Sequence, residues 1–115
     1  MAQRTNFKME YENITMTSGD TVAFNVEMTD FEGNPITVDE ASFLVLRPSG
    51  YTATAFELTI GHGITQEEGL LTVRIAPGQT SRLNGDYFYK FSVKVNDDIF
   101  TIKKGLLTIE GNGSY

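Results

Sequence analysis

His62 is the one histidine in the chain, and it sits in Gly61-His62-Gly63. A general base needs a group to deprotonate and a partner that orients its ring. The sequence supplies neither, and the flanking glycines mark a loop tip, so His62 reads as an ordinary surface turn. Asp30, Glu32 and Asn34 alternate like the first ligands of a calcium loop, which also needs a sixth-position Gly and a twelfth-position acid. With Asp30 first, Gly33 falls fourth and Ala41 twelfth. The pattern fails, which leaves a hairpin or inter-sheet turn as the main reading and a weak cation site as the lesser one. Glu67-Glu68 and Asp39-Glu40 are paired carboxylates of the kind glycosidases use at a set separation. Neighbours on an extended chain point apart, so both pairs read as solvated loop charge. No phosphate-binding glycine loop, nucleophile elbow or zinc spacing occurs. No catalytic, cofactor-binding or metal-ligating residue is therefore assigned, and no cofactor is expected.

Two sets of side chains suit recognition better than catalysis. Lys90, Lys94, Lys103 and Lys104 sketch a small basic stripe near the C-terminal end. Tyr87, Tyr89 and Phe91 interleave with it but fall on the opposite face of the same strand. The stacking-plus-cation arrangement of single-strand nucleic-acid binders is therefore missing. The lysines are expected to solubilise the outer face and blunt a sheet edge. Phe31, Tyr51, Phe56, Phe88 and Tyr115 stand outside the core pattern. A cluster of such aromatics would mark a binding surface, and the sequence leaves open whether they meet. Asn13-Ile14-Thr15 and Asn112-Gly113-Ser114 match the glycosylation acceptor and are read as chance.

The elements that must position these groups are bounded by composition. The chain has 115 residues and 12.8 kDa, enough for one domain spanning 1–115. Folding such a chain removes roughly 12,000 Å² from water, so a single core needs no staple. None is available, because there is no Cys. Fifteen acidic against nine basic residues give a net charge of −6 and a pI near 4.6. That balance argues against nucleic acid, whose affinity comes mostly from Lys and Arg. The opening residues lack the apolar stretch of a secretory signal, and no run approaches a membrane helix. Synthesis and folding in a cytoplasm are the expectation.

The dominant period is two. Val22, Phe24, Val26 and Met28 alternate with Ala23, Asn25 and Glu27, the mark of a half-buried antiparallel strand. Tyr87, Tyr89, Phe91, Val93 and Val95 repeat it, as do Leu71, Val73 and Ile75. Phe7, Met9 and Tyr11 alternate, and Ile14 and Met16 then continue in the opposite parity, which requires an irregularity near Glu12-Asn13. Residues 42–47 suit a central strand, and the Thr- and aromatic-rich 51–60 a further one. Phe100 and Ile102 point one way, Leu107 and Ile109 the other, so a bulge at Gly105 or a short loop is expected there. Turn chemistry punctuates the runs at Ser18-Gly19-Asp20, Gly33-Asn34-Pro35, Pro48-Ser49-Gly50, Pro77-Gly78, Asn84-Gly85 and Asn96-Asp97-Asp98. A single helical turn is allowed for around 79–83. About seven short strands with these turns predict an all-β, antiparallel β-sandwich without a disulfide. Residues 1–6 form an N-terminal arm and 110–115 a C-terminal tail in this reading.

Gly85-Asp86-Tyr87 resembles the corner that opens the sixth strand of immunoglobulin-like sandwiches, where a Tyr hydroxyl bonds back to the backbone. With neither Cys nor Trp, the chain departs from true immunoglobulin domains and keeps the architecture. A narrower likeness spans residues 18–109. Ser18-Gly19-Asp20-Thr21, Gly33-Asn34-Pro35-Ile36, the run from Leu70 to Ile75, then Thr80, Leu83, Gly85, Tyr87 and Tyr89 carry it, and Gly105-Leu106-Leu107-Thr108-Ile109 close it. Together they are similar to small virion proteins of tailed phages and prophages, in particular to N-terminal domains of phage baseplate upper proteins and related tail or head–tail components. The Asp-Gly expected in the last hairpin is Asp97-Asp98 here. The resemblance implies a non-catalytic structural protein of the virion, assembled in the bacterial cytoplasm. Its partners would be other virion proteins or copies of itself in a ring, with no nucleic acid or membrane. The alternative is a carbohydrate-binding or adhesive sandwich, with sugars stacked on Tyr51, Phe56 or Phe88.

Overall fold

Period-two alternation becomes strand wherever it is strongest. The computed structural model describes residues 9–48 and 53–111. Its strands, in chain order, are β1 (Glu10–Tyr11), β2 (Ile14–Thr17), β3 (Val22–Glu27), β4 (Glu40–Leu46), β5 (Thr54–Ile60) and β6 (Gly63–Glu67). After β7 (Leu70–Ile75) comes a helical turn, α1 (Pro77–Thr80), and then the long hairpin of β8 (Gly85–Val95) and β9 (Asp98–Glu110). The strands hydrogen-bond in the order β1-β9-β8-β4-β5-β6-β7-β3, with β2 beside β1 on β9.

This sheet curls back on itself. In strand order β5, β6 and β7 separate β3 from β4, yet Phe24 of β3 meets Phe43 of β4 and Phe91 of β8 edge-on, with ring centroids 5.6 and 6.5 Å apart. The two inner faces therefore pack as a sandwich, all-β, with a core that includes Phe43, Phe91, Leu71, Val73, Ile75 and Leu107, each fully buried. Most pairings are antiparallel, as alternation implies. Three run parallel: β1 and β2 on β9, and a short contact of β5 with β6.

The parity change expected near Glu12-Asn13 does not occur. Tyr11 pairs with Lys104 and Ile14 with Leu107, one unbroken register in which Tyr11 faces outward and Ile14 and Met16 inward. Glu12 and Asn13 lie between β1 and β2, which are two pieces of one interrupted strand along β9. The Glu12 amide donates to the Lys104 carbonyl, and the Asn13 side-chain oxygen accepts from the Leu106 amide, so the gap is bridged. Gly105 lies beneath it, where a Cβ would overlap the Glu12 carbonyl. The expected bulge in β9 is displaced from that glycine. Phe91 pairs with Lys103 and Ser92 with Thr101, so the extra residue is Ile102. Ile102 stays buried, and Lys103 is turned to the inner face instead of outward. The paired strand also runs through Glu110, opposite Thr17, so the tail starts one residue later than expected.

β6 has no clear signature in the sequence, because one of its inward side chains is polar. Gln66 accepts from the Val38 amide at 2.7 Å and donates to the Val38 carbonyl at 3.1 Å, standing in for a missing backbone ladder. The Tyr87 hydroxyl donates to the Asn84 carbonyl at 3.3 Å, the corner contact that the Gly85-Asp86-Tyr87 motif implies. Below it, Thr80 is fully buried on α1 and ties two segments. Its hydroxyl accepts from the Gly19 amide, and its carbonyl from the Ser18 hydroxyl.

Candidate functional site

The candidate catalytic groups are drawn apart and absorbed by turns. His62 is exposed between β5 and β6, where its backbone exchanges hydrogen bonds with Thr59. Glu68 adopts a positive φ in the two-residue turn joining β6 to β7, so Glu67 and Glu68 diverge at a hairpin tip. Asp39 and Glu40 part company as well. The Asp39 carboxylate accepts from the Asn96 amide at 3.0 Å, clamping the Asn96-Asp97 turn, while Glu40 lies 3.9 Å from Lys94. That turn has positive φ at both residues, a type I′ hairpin despite the lack of glycine.

Asp30 organises its own loop. One carboxylate oxygen accepts from the Glu32 and Asn34 amides, both at 2.9 Å, and Asn34 also reaches the other oxygen. One oxygen is thus committed to backbone amides and the other to the Asn34 side chain, and among the described residues no group of three or more His, Cys, Asp or Glu is placed to hold a metal ion. The Asn34 amide, followed by those of Glu32 and Gly33, holds this carboxyl below its ordinary 3.8. A depressed folded-state pKa contributes stability at neutral pH that is lost as pH falls through that lowered value. An NMR titration is therefore expected to place the Asp30 midpoint below 3.8, with the Glu32 and Asn34 amides moving in step. An ordinary midpoint would remove the loop's anchoring role.

Three of the side chains singled out for recognition, Phe88, Lys90 and Lys104, meet through strand register. On the outer face Leu46 pairs with Phe88 and Phe88 with Leu106. One row along, Leu44 pairs with Lys90, Lys90 with Lys104, and Lys104 with Tyr11. Apart from Leu44, these residues line a groove of about 420 Å³ whose floor is apolar. Tyr11 is 72% exposed, and Lys104 lies 5.1 Å from the centre of its ring. Tyr89 borders the groove from the core side, and its hydroxyl donates to the Glu12 carbonyl at 2.6 Å. Burial, and then the charges of Glu12 and Glu10, push its phenol up to about 12. The neutral form is the folded one, so this contribution is complete below pH 10 and disappears as pH rises towards 12. Ultraviolet titration is expected to show one tyrosine ionising last, together with alkaline loss of structure; five tyrosines titrating near 10 would contradict it.

A second groove, about 500 Å³, lies near the other end of the same face. Asp39, Glu40 and Glu57 make it acidic despite Lys94, and the Ser42 hydroxyl donates to Glu57 at 2.6 Å.

Of the aromatics singled out from sequence, Phe88 lies in the first groove, and Phe31 is 74% exposed at the tip of the Asp30 loop. Phe56 turns inward to within 6.4 Å of Phe43, while Tyr51 and Tyr115 fall outside the described residues, as do the arm of residues 1–6 and the Asn112 motif. Lys103 leaves the basic stripe: it pairs with Glu12 and lies over the Phe24 ring. Sequence reasoning missed Tyr11 and Ile99 as exposed groups. Tyr11 looked like the inward face of an alternating strand, and only the opposite parity of Ile14 and Met16 hinted otherwise.

No protein-family profile matches the chain, and no curated protein does. Among solved structures, CopC from Methylosinus trichosporium OB3b superposes with a TM-score of 0.53 over 90% of this chain and 88% of its own, at 18% identity. The group B Streptococcus pullulanase SAP gives 0.51 over 86% of this chain, at 11% identity. The likeness is one of fold. The chain spans most of CopC's length but only 11% of the pullulanase's, so it matches one module of a far larger enzyme.

Proposed function

We propose that the chain is a non-catalytic structural component of a tailed-phage or prophage virion, working through protein–protein contact. The observation that carries the contact part is the groove itself. Tyr11, Leu46, Phe88 and Leu106 gather on the outer strand face of an acidic domain, where alternation alone would place polar groups. The titratable candidates, by contrast, are spread over separate turns. The virion part rests on the sequence resemblance across residues 18–109. Neighbouring reading frames test it: adjoining terminase, portal or tape-measure genes support the reading, and their absence removes it.

A carbohydrate-binding module is the second reading, favoured by Tyr11 and Phe88 lining one groove, since both rings can stack on a sugar. Signal on a glycan array that is lost on Tyr11→Ala would favour this reading over the first. A silent array would dismiss it.

A further inference from the structure

We propose that copies of this chain join head to tail, the Asp30-Phe31-Glu32 tip of one copy seating in the groove between Lys90 and Lys104 of the next. The proposal rests on the contact reading above and names the partner of that groove.

Lys90 and Lys104 face each other directly across the β8–β9 ladder. Like charges in directly opposed positions destabilise a sheet, and the contact of Lys104 with the Tyr11 ring offsets this on one side only. Neither forms an ion pair among the described residues. An anionic guest with an apolar centre accounts for both the lysines and the apolar floor beside them. The same chain carries such a guest. Phe31 is exposed and flanked in sequence by Asp30 and Glu32, on a loop that the Asp30 hydrogen bonds already hold in shape, so little freedom is lost on docking. In a chain of net charge −6, copies repel over most of their surface, and the second groove with its three carboxylates rejects the tip. Lys90 and Lys104 mark the place where the sign is right.

Topology makes the contact intermolecular. The tip precedes the first residue of β4, and the groove takes its last, Leu46. The Thr29–Pro35 bridge and the Met28–Gly69 hydrogen bond fix the base of the loop at the β6–β7 turn, and Gln66 holds Val38 there just before β4 begins. From there β4 carries the chain roughly 20 Å on to Leu46, so the tip and its own groove lie towards opposite ends of β4. A tip and a groove are different surfaces, so the interface is heterologous and propagates into a ring or filament. Each contact is small but binds measurably on its own at high protein concentration, and closure of a ring adds avidity to it.

Light scattering after size exclusion, on the full chain up to about 1 mM, tests this. Wild type is expected to associate in a concentration- and salt-dependent manner. Phe31→Ala is expected to weaken association by at least about tenfold, as for an aromatic anchor. Lys90→Glu/Lys104→Glu is expected to do the same, with Lys90→Gln/Lys104→Gln between it and wild type. Melting curves matching wild type verify that each variant folds. The decisive sample is an equimolar mixture of Phe31→Ala with Lys90→Glu/Lys104→Glu. One retains a groove and the other a tip, so a heterodimer and nothing larger is expected. A monomeric wild type at every concentration, association indifferent to Phe31→Ala, or a mixture that fails to pair would each overturn the proposal. Failure of the virion reading shows elsewhere, in the neighbouring genes.

Discussion

Phe43→Ala is expected to lower stability by about 3–5 kcal/mol, the range for emptying a buried aromatic site. Phe43 has no exposed surface, and its ring meets Phe24 at 5.6 Å, Tyr89 at 5.3 Å and Phe56 at 6.4 Å. These partners come from β3, β8 and β5, so the ring is where the curled sheet closes on itself. Collapse of the cavity would require both layers to move together, which places the loss near the upper end. At about 4 °C per kcal/mol, the melting midpoint falls by roughly 12–20 °C. Domains of this size hold about 5–15 kcal/mol in all, so the variant stands close to unfolding. Phe31→Ala, at an exposed tip, is expected to stay within about 0.5 kcal/mol of wild type. Differential scanning calorimetry on the two variants tests the contrast. A Phe43→Ala protein that melts near wild type would mean that β3 does not pack on β4.

Gly105→Ala is expected to cost about 2–3 kcal/mol for the addition of one methyl group. Steric overlap is the whole cause, because Gly105 has no positive φ, unlike Gly19, Gly33 or Gly61. A Cβ there would overlap the Glu12 carbonyl, with the Asn13 side-chain oxygen 3.1 Å away. The neighbour is backbone and cannot swing aside. Relief requires the β1–β2 junction to lift off β9, breaking the Tyr89–Glu12 and Asn13–Leu106 hydrogen bonds. Amide exchange at Glu12 and Leu106 is therefore expected to accelerate along with the loss of stability. Unchanged exchange at both would contradict this account of the junction.

These two positions also show what a sequence discloses and what it hides. Phe43 was legible as core, because residues 42–47 are apolar on both faces. β3, β7 and β8 were legible for the same local reason, an alternation that needs no partner to be seen. The parity conflict at Glu12-Asn13 was misleading: the register on β9 is unbroken there, and Tyr11 is simply an outward aromatic. The bulge in β9 was misplaced to Gly105, since a glycine is the obvious site for a bulge while the true extra residue, Ile102, is an ordinary core side chain. That shift of three positions turns Lys103 from outer face to inner. Gln66 hid β6, because an inward polar residue breaks the pattern and its reason, the Val38 backbone, lies 28 residues away. The groove was the least legible feature. Phe88, Lys90, Lys104 and Leu106 become neighbours only through the register of β4, β8 and β9, and single-chain spacing carries no register between strands.

The central claim is that this domain acts by contact, through the tip at Phe31 and the outer face of β8 and β9. Amide NMR spectra of the isotope-labelled protein, recorded at rising concentration, test it residue by residue. The account predicts that the amides around Asp30, Phe31 and Glu32 shift together with those of Phe88, Lys90, Lys104 and Leu106, along one binding curve. It also predicts that the acidic groove at Ser42 and Thr59 stays silent. Spectra independent of concentration, or shifts centred on Ser42 and Thr59, would contradict it.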